Sequence, residues 1–300
     1  MVRILRWAAW CLLFVSIGIG TISDRPRQNP HLILGGYHVL AADFHIHSFP
    51  LSWGVLSPWD TVMEARRQAL DVIAMTPHNH TWVAKVGQWS ARLSGNPIVI
   101  VGEEIHSIGY HLLAVGIRNS IAWRQPASKA IDEVHRQGGV AIAAHPIASY
   151  AAYDAEAMRK VDAAEVVHPV GLRNEAFADQ LRQFFRRTRL TAIGDSDYHI
   201  GPLSPQLGEM GLCRTYVFVH ERTEEGILDA LRKGRTVVYD REHVYGDPAM
   251  IQLADENGRL RKLALSGREP NFAGLFSGIV GVFGLLAWTL TSGGVWRRFD

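Results

Sequence analysis

The sequence predicts an α/β fold, a closed βα barrel with an apolar segment at each end of the chain. Apolar, β-like runs alternate with segments of helical periodicity, which is typical of βα units and a largely parallel sheet. A continuous apolar run such as 98–101, Ile-Val-Ile-Val, suits a strand buried on both faces. Five runs end in His, Asp or Glu, and closed βα barrels carry their chemistry at that end of the strands. An open doubly wound sheet would instead gather a ligand at one crevice.

The predicted elements follow one another with clear boundaries. Residues 37–44 form the first strand, and Ser57 followed by Pro58 is typical of the start of a helix over 57–70. The helix over 128–137 ends at a Gly-Gly pair, which favours a helix stop. The other predicted strands are 70–75, 98–101, 110–117, 140–144, 163–167, 190–194, 213–219 and 235–240, and the other helices are 82–93, 155–160, 174–187 and 224–233.

Composition allows one domain of ordinary size plus appendages. The chain has 300 residues, of which 47% are hydrophobic, enough for a substantial core. A formal net charge of +2 is too small to indicate nucleic-acid binding. The two cysteines, Cys11 and Cys213, give no disulfide framework and no cysteine-rich zinc site.

Both ends of the chain have the character of membrane segments. The run 7–23 carries no charge and follows Arg3 and Arg6, which suits a signal peptide or an uncleaved signal anchor. We favour the anchor because no small-x-small cleavage site follows the run. The second run carries no charge between Glu269 and Arg297, which exceeds the roughly 20 residues of a spanning helix.

These runs predict an integral membrane protein with two spans. Arginines before the first run and after the second place both termini in the cytoplasm and the barrel outside it. The bilayer would then be a partner of the protein. The predicted segments are a transmembrane anchor at 1–23, a linker at 24–34, the barrel at 35–265, a second linker at 266–270 and a transmembrane helix at 271–296.

The first predicted strand ends in a His-x-His motif. Successive side chains of a strand point to opposite faces, so His45 and His47 share a face if the strand reaches them. Two imidazoles on one face can hold one metal ion, although such short motifs also occur without a metal. His, Asp or Glu recurs at the ends of four later strands. This recurrence favours a single polar rim at one end of the barrel.

Six motifs in order carry a resemblance to a known family. Over residues 39–239 the chain resembles the PHP family, the polymerase and histidinol phosphatase domain. The resemblance implies a distorted (β/α)7-type barrel of about seven βα units, a cluster of two or three metal ions at the strand ends, and metal-dependent hydrolysis of phosphate esters. The matching motifs are DFHIHS at 43–48, TPHNH at 76–80, GEE at 102–104, YHLLAVG at 110–116, AHP at 144–146 and SDYH at 196–199.

The resemblance also implies a set of metal ligands. Glu104 would bridge two ions, His45, His47 and Asp197 would complete the first site, and two further histidines the second. Glu104, Asp197 and His199 would act in catalysis. The full ligand set is His45, His47, His78, Glu104, His111, His145, Asp197 and His199, with His78 and His199 assigned to a third ion.

Two departures from the family pattern affect the third ion. Trp53 stands in the loop where relatives usually carry another ligand, and an indole has only an N–H donor. Pro77 replaces the aspartate of the usual T-D-H segment. We therefore predict two ions, with His80 as a candidate replacement ligand. A donor set of imidazoles and carboxylates suits Mn, Zn or Fe and does not choose among them.

Other polar residues are candidates for supporting roles. Arg214 and Arg235 could bind the substrate phosphate, or could simply be solvated at the surface. His168 ends a further strand and could line the pocket.

Acids and one more histidine next to the motifs could support the ligands. Glu103 and His106 could transfer protons or lie in solvated loops, and Asp43 or Asp195 could orient a metal-binding histidine.

The sequence therefore predicts a membrane-anchored, metal-dependent phosphoesterase. It would hydrolyse a small phosphorylated molecule or nucleotide through a metal-activated water, and its oligomeric state stays open. One alternative is a noncatalytic, membrane-anchored metal-binding scaffold. Another is an amidohydrolase-like hydrolase of C–N or ester bonds, although those enzymes usually have a bridging lysine and no lysine closes a strand here.

Overall fold

The computed structural model describes most of the chain. Described are residues 2–23, 31–50, 52–200, 209–241, 243–265, 276, 280–281, 283–284 and 286–289. The chain divides into two compact units, one of Met1–Pro26 with Glu269–Asp300 and one of Arg27–Arg268. The predicted linkers, 24–34 and 266–270, lie mostly or wholly outside the described residues.

The larger unit is built around one mixed sheet of eleven strands. The strands are β1 (Leu32–Leu34), β2 (Tyr37–Ile46), β3 (Val72–Met75), β4 (Ile98–His106), β5 (His111–Val115), β6 (Val140–Ala143), β7 (Ala163–Val167), β8 (Thr191–Gly194), β9 (Thr215–Val219), β10 (Thr236–Tyr239) and β11 (Val244–Gly246). Ten of them follow the order β11-β10-β9-β2-β3-β4-β5-β6-β7-β8, and β1 pairs with β2. Every residue of β3, β5, β6 and β7 is buried, so both faces of these strands are covered.

The strands pair in both directions. β2, β3 and β4 are parallel, as are β6, β7 and β8. β5 runs antiparallel between β4 and β6, because the short segment 107–110 joins β4 to β5 without a crossover helix. β9 runs antiparallel to β2 and β10. The predicted (β/α)7-type barrel with a largely parallel sheet is therefore corrected to a mixed, nearly closed barrel.

Helices connect most of the strands. α2 begins as predicted, since Pro58 is its first residue and Ser57 Oγ accepts a hydrogen bond from Asp60 N–H at 3.2 Å. The helices are α1 (Val2–Ser23), α2 (Pro58–Arg67), α3 (Trp82–Ser94), α4 (Ala127–Arg136), α5 (Ala157–Lys160), α6 (Glu175–Thr188), α7 (Glu224–Arg232), α8 (Pro248–Asn257) and α9 (Arg259–Leu265). Helices α2 to α7 each precede a strand of the barrel.

The barrel closes between the ends of β8 and β2. Beyond β8, Tyr198 forms an isolated parallel bridge with Ile46 of β2. His47 N–H donates to Tyr198 O at 2.9 Å, and Tyr198 N–H donates to His45 O at 3.1 Å. The residues that follow β8 are thereby held beside the histidines of β2.

Threonine hydroxyl groups link β8 to β9 and β10, strands with which β8 forms no β-ladder in the described sheet. Gly194 N–H donates to Thr215 Oγ1 at 2.9 Å, and Thr236 Oγ1 donates to Ala192 O at 2.8 Å. A Cβ on Gly194 would lie 2.5 Å from Val238 Cγ1. Glycine at this position therefore lets β10 approach β8 closely.

The prediction of membrane spans is wrong. Arg3 and Arg6 lie inside α1, so its uncharged part, 7–23, rises about 26 Å at about 1.5 Å per residue, less than the roughly 30 Å of a hydrocarbon core. Of the helices in the described part of the chain, none has both the length and the apolar character needed to cross a bilayer. The integral membrane location and the extracytoplasmic barrel inferred from the spans are withdrawn with them. The predicted C-terminal span, 271–296, falls mostly on residues that the structure does not describe.

Candidate metal centre

The predicted metal ligands come from the ends of six strands and meet at one end of the barrel. Each lies within its strand or in the residues directly after it. They are His45 and His47 at β2, His78 after β3, Glu104 in β4, His111 in β5, His145 after β6, and Asp197 and His199 after β8.

Glu104 lies at the centre of these side chains. Its Oε1 lies 2.8 Å from His111 Nδ1 and 3.5 Å from His145 Nε2. Its Oε2 lies within 3.4 Å of the Nε2 atoms of His45, His47 and His78. Each carboxylate oxygen therefore faces its own set of imidazoles, which is the arrangement expected of a bridging ligand.

Asp197 is the second acid of the cluster. Its Oδ1 lies 3.2 Å from the Nε2 atoms of both His45 and His47, and its Oδ2 lies 3.5 Å from His168 Nε2. Asp197 has a φ of 46° and His145 a φ of 24°, in the left-handed region that residues other than glycine rarely adopt. Backbone strain of this kind is concentrated at functional sites.

The donor atoms converge closely enough to hold cations. Five groups of three ligand atoms exist among the described residues, and the atoms of each group lie within 4.8 Å of one another. The groups are His47, His78 and His199; His45, His47 and Glu104; His45, His145 and Asp197; His78, Glu104 and His106; and Glu104, His111 and His145. His80, the candidate replacement ligand, belongs to none of these groups; its ring lies 5.7 Å from that of Trp82.

Buried atoms of the cluster lack hydrogen-bond partners. Within the described residues this holds for the Nε2 atoms of His45, His47, His111 and His168. A buried polar atom without a partner costs free energy, and a divalent cation would satisfy these lone pairs and balance the two acids. The residues therefore fit a metal centre.

The electrostatics of the cluster favour the protonation states that ligands need at Glu104, Asp197 and His47, but not at His45. Burial alone would raise the pKa values of Glu104 and Asp197, but the neighbouring His45 and further histidines hold both pKa values well below the ordinary range. Burial, followed by the nearby His199, lowers the pKa of His47 well below its usual value. Burial would also lower the pKa of His45, yet Asp197, Glu165 and Glu104 raise it well above. The acids are thus ionised and His47 is neutral.

Comparison with known proteins identifies the architecture. A two-domain protein from Bacteroides vulgatus, which contains a predicted PHP-like metal-dependent phosphoesterase, is similar with a TM-score of 0.63 and 25% identity, over 77% of this chain and 74% of that chain. The barrel has a PHP-like fold. No protein-family model matches the chain, and no curated protein does.

Two other solved structures resemble the chain less closely. An amidohydrolase from Chromobacterium violaceum has a TM-score of 0.43 and 17% identity, over 56% of this chain and 90% of that chain. A lesion-specific endonuclease from Pyrococcus furiosus has a TM-score of 0.43 and 15% identity, over 77% of this chain and 73% of that chain.

Glu165 of β7 is a site residue that the sequence reasoning missed. It is fully buried, its Oε1 lies 2.7 Å from His45 Nδ1, and its Oε2 accepts a hydrogen bond from His145 N–H at 2.6 Å. Through the first contact it fixes the ring of His45 so that Nε2 points into the cluster. One signal in the sequence could have found it, since it is a carboxylate inside an otherwise apolar strand.

The two acids that were expected to orient a histidine ring lie elsewhere in the PHP-like barrel. Asp43 accepts hydrogen bonds from Ser196 Oγ at 2.5 Å and from Gly211 N–H at 2.8 Å. Asp195 accepts one from Phe44 N–H at 2.7 Å. Both acids fix the backbone behind the metal centre, and neither contacts a ring nitrogen of the ligands in the hydrogen bonds of the described residues.

Replacing Glu165 by glutamine is expected to weaken metal binding. The glutamine would keep the size of the side chain but remove the charge that fixes the tautomer of the His45 ring and raises its basicity. Such changes typically cost about 10- to 100-fold in metal affinity. Calorimetric titration of the metal-free protein with Zn or Mn measures the effect. Glu133→Gln, which removes a half-buried carboxylate on α4 that pairs with Arg136 outside the cluster, is the matched control. Equal affinities for the Glu165 variant and the parent protein would contradict the assignment.

The two arginines proposed for phosphate binding lie away from the PHP-like site. Arg214 is buried and donates from Nε to Gly211 O at 3.0 Å. Arg235 donates from Nη2 to Asp229 Oδ2 at 2.7 Å. Neither lines the cavity at the metal centre.

Glu103 occupies the face of β4 opposite to Glu104. It is fully buried rather than solvated, and its Oε1 accepts a hydrogen bond from Ile121 N–H at 2.6 Å. Burial raises the pKa of Glu103 to about 7, although the bond from Ile121 opposes the shift. The alternation of side chains along β4 thus separates one acid of the metal centre from one acid of the core.

A cavity of about 620 Å³ opens above the metal centre. Part of its wall is the cluster itself, including Glu104, Asp197 and several histidines, among them His106 and His168. The rest is largely apolar and comes from loops and one helix end. It comprises Trp53, the amide Asn79, Tyr150, Val170 and Phe177.

Proposed function

We propose that the PHP-like barrel is a metal-dependent hydrolase that cleaves phosphate esters. The observation that carries the proposal is the position of Glu104, whose two oxygens face separate sets of buried imidazoles. Glu104 would be shared by two divalent ions, which are Mn, Zn or Fe. His45, His47 and Asp197 would hold one ion, and His111 with His145 the other. His78 and His199 lie beside the first site and would hold a third ion if one binds.

The residues of the site suit this reaction. Bound divalent ions would supply a Lewis acid that stabilises charge on phosphoryl oxygens and acidifies water. Because His199 Nδ1 contacts Asp197 O at 2.8 Å, Nε2 is the atom left to carry a proton to the leaving oxygen when no third ion is bound to it. The P–O ester bond breaks, the hydroxyl of water joins phosphorus, and the proton of water ends on the released alcohol.

Turnover that depends on metal tests the proposal. The full chain is stripped with a chelator, loaded separately with Mn and Zn, and assayed on p-nitrophenyl phosphate and bis-p-nitrophenyl phosphate. We expect chelation to abolish turnover and one of the metals to restore it, with two ions bound per chain by elemental analysis. No turnover of either ester by any loaded form would refute the proposal and favour a noncatalytic metal-binding protein.

A second candidate is hydrolysis of a carboxylic ester or C–N bond. It is favoured by one observation, that the cavity has no lysine or arginine among its described lining residues. A phosphate group would then depend on the ions alone for its positive charge. The same assay with p-nitrophenyl acetate and an anilide distinguishes the two reactions, since we expect phosphate esters to be turned over with the higher kcat/KM.

A further inference from the structure

We infer that the cavity selects a substrate that carries a flat, uncharged ring next to the bond that is cleaved. The inference rests on the proposed function and names a substrate class for it. Three features of the cavity support it: aromatic side chains beside the metal centre, a fixed backbone under two of these rings, and the lack of a lysine or arginine among the described residues of the wall.

Aromatic rings form the wall nearest to the proposed ligands. The ring of Tyr150 stacks on His111, with centroids 4.1 Å apart and an interplanar angle of 25°. The ring of Phe177 lies 5.3 Å from that of His168. Because both rings also line the cavity, a second ring bound there would contact them while its substituent reaches the ions.

Local hydrogen bonds fix the backbone under these two rings. Phe177 lies in the first turn of α6, where Asn174 Oδ1 accepts a hydrogen bond from Phe177 N–H at 3.2 Å. Tyr150 N–H donates to Ile147 O at 2.9 Å. Positions that are fixed before binding lower the entropic cost of recognition.

Trp53 forms the outer rim of the cavity. Its side chain is 82% exposed, and its φ of 60° is in the left-handed region, which a tryptophan rarely adopts. An indole held in solvent beside a cavity gains buried area once a flat apolar group enters. Trp53 therefore fits a role at the edge of the ring site.

The charge of the cavity indicates that the ring is neutral. Its described lining has Glu104 and Asp197 but no lysine or arginine. A second phosphate or a carboxylate on the ring would thus find no positive side chain in that lining away from the metal centre. A volume of about 620 Å³ is within the roughly 300 to 1,000 Å³ of sites that bind small molecules.

Binding of three phosphonates, which cannot be hydrolysed, tests the inference. Phenylphosphonate, cyclohexylphosphonate and methylphosphonate are titrated calorimetrically into the metal-loaded full chain. We expect the phenyl compound to bind about tenfold more tightly than the methyl compound, with the cyclohexyl compound between them. A carboxylate added at the para position of the phenyl ring should remove most of this preference.

Variants locate the preference in the cavity. Phe177→Leu and Tyr150→Leu keep an apolar side chain, and each should reduce the preference for phenyl over methyl to about threefold or less. Ile108→Ala, at a residue that is 90% exposed and does not line the cavity, should keep it. Equal affinities for phenyl and methyl, no binding of any phosphonate, or a preference unchanged in both leucine variants would each overturn the inference.

The two proposals can fail separately. A protein that prefers phenylphosphonate but turns over no phosphate ester contradicts the proposed reaction and not the ring site. A protein that turns over phosphate esters without any preference for the ring contradicts the ring site alone.

Discussion

Replacing Glu104 by glutamine should lower kcat/KM by about 1,000-fold or more, equivalent to about 4 kcal/mol of transition-state stabilisation. Glu104 is the acid closest to the centre of the cluster, with ring nitrogens near both of its oxygens. An amide has no charge to share between two cations, and its nitrogen is a poor ligand. We therefore also expect the metal content to fall from two ions per chain to one or none.

The neighbouring residue supplies the control for this variant. Glu103→Gln makes the same chemical change one position earlier in β4, on the face that points away from the cluster. Its metal content should stay at two ions and its kcat/KM within a few fold of the parent protein. A Glu104→Gln protein that kept both ions, or lost less than tenfold in kcat/KM, would show that Glu104 does not bridge.

Glu103→Gln should also remove a pH dependence of folding stability. Burial raises the pKa of Glu103 to about 7 in the folded protein, from an ordinary value of 4.5. As the pH rises from 4.5 to 7, the unfolded chain loses the proton while the folded chain retains it, so the folded state is progressively destabilised. Since one pKa unit corresponds to about 1.36 kcal/mol, the full effect above pH 7 is about 3 kcal/mol.

Urea unfolding at pH 5 and pH 8 measures this effect. We expect the free energy of unfolding of Glu103→Gln to exceed that of the parent protein at pH 8 by far more than at pH 5. Glu156→Gln, which removes an exposed carboxylate, controls for the loss of one charge. A parent protein and a Glu103→Gln variant whose stabilities change equally between the two pH values would rule out a protonated Glu103.

The parts of the site that sequence could predict are those set by local rules. Strand ends follow from apolar runs, and the alternation of side chains puts His45 and His47 on one face. The resemblance predicts Glu104 as the bridging ligand, and the strand geometry places Glu104, and not Glu103, among the histidines. Whether these residues bind metal stays a prediction.

The parts that sequence did not predict depend on pairing across the sheet. Glu165 reaches His45 because closure of the barrel leaves only β8 between β7 and β2, and the contact joins residues 120 positions apart. The antiparallel β5 did leave a signal, since a Gly-containing segment of four residues between two apolar runs is typical of a hairpin. The sequence carries no comparable signal for Arg214, because its role as a buried donor to carbonyl groups depends on the folded loops around it.

The bridge between Tyr198 and Ile46 has a thermodynamic consequence. Asp197 and His199 belong to one end of the curled sheet, and His45 with His47 belong to a strand on the other side of that junction. A cation that binds residues on both sides of the junction stabilises only the closed form of the barrel, by its binding free energy. If the proposed ions bind across this junction, opening of the barrel and loss of metal are one linked equilibrium.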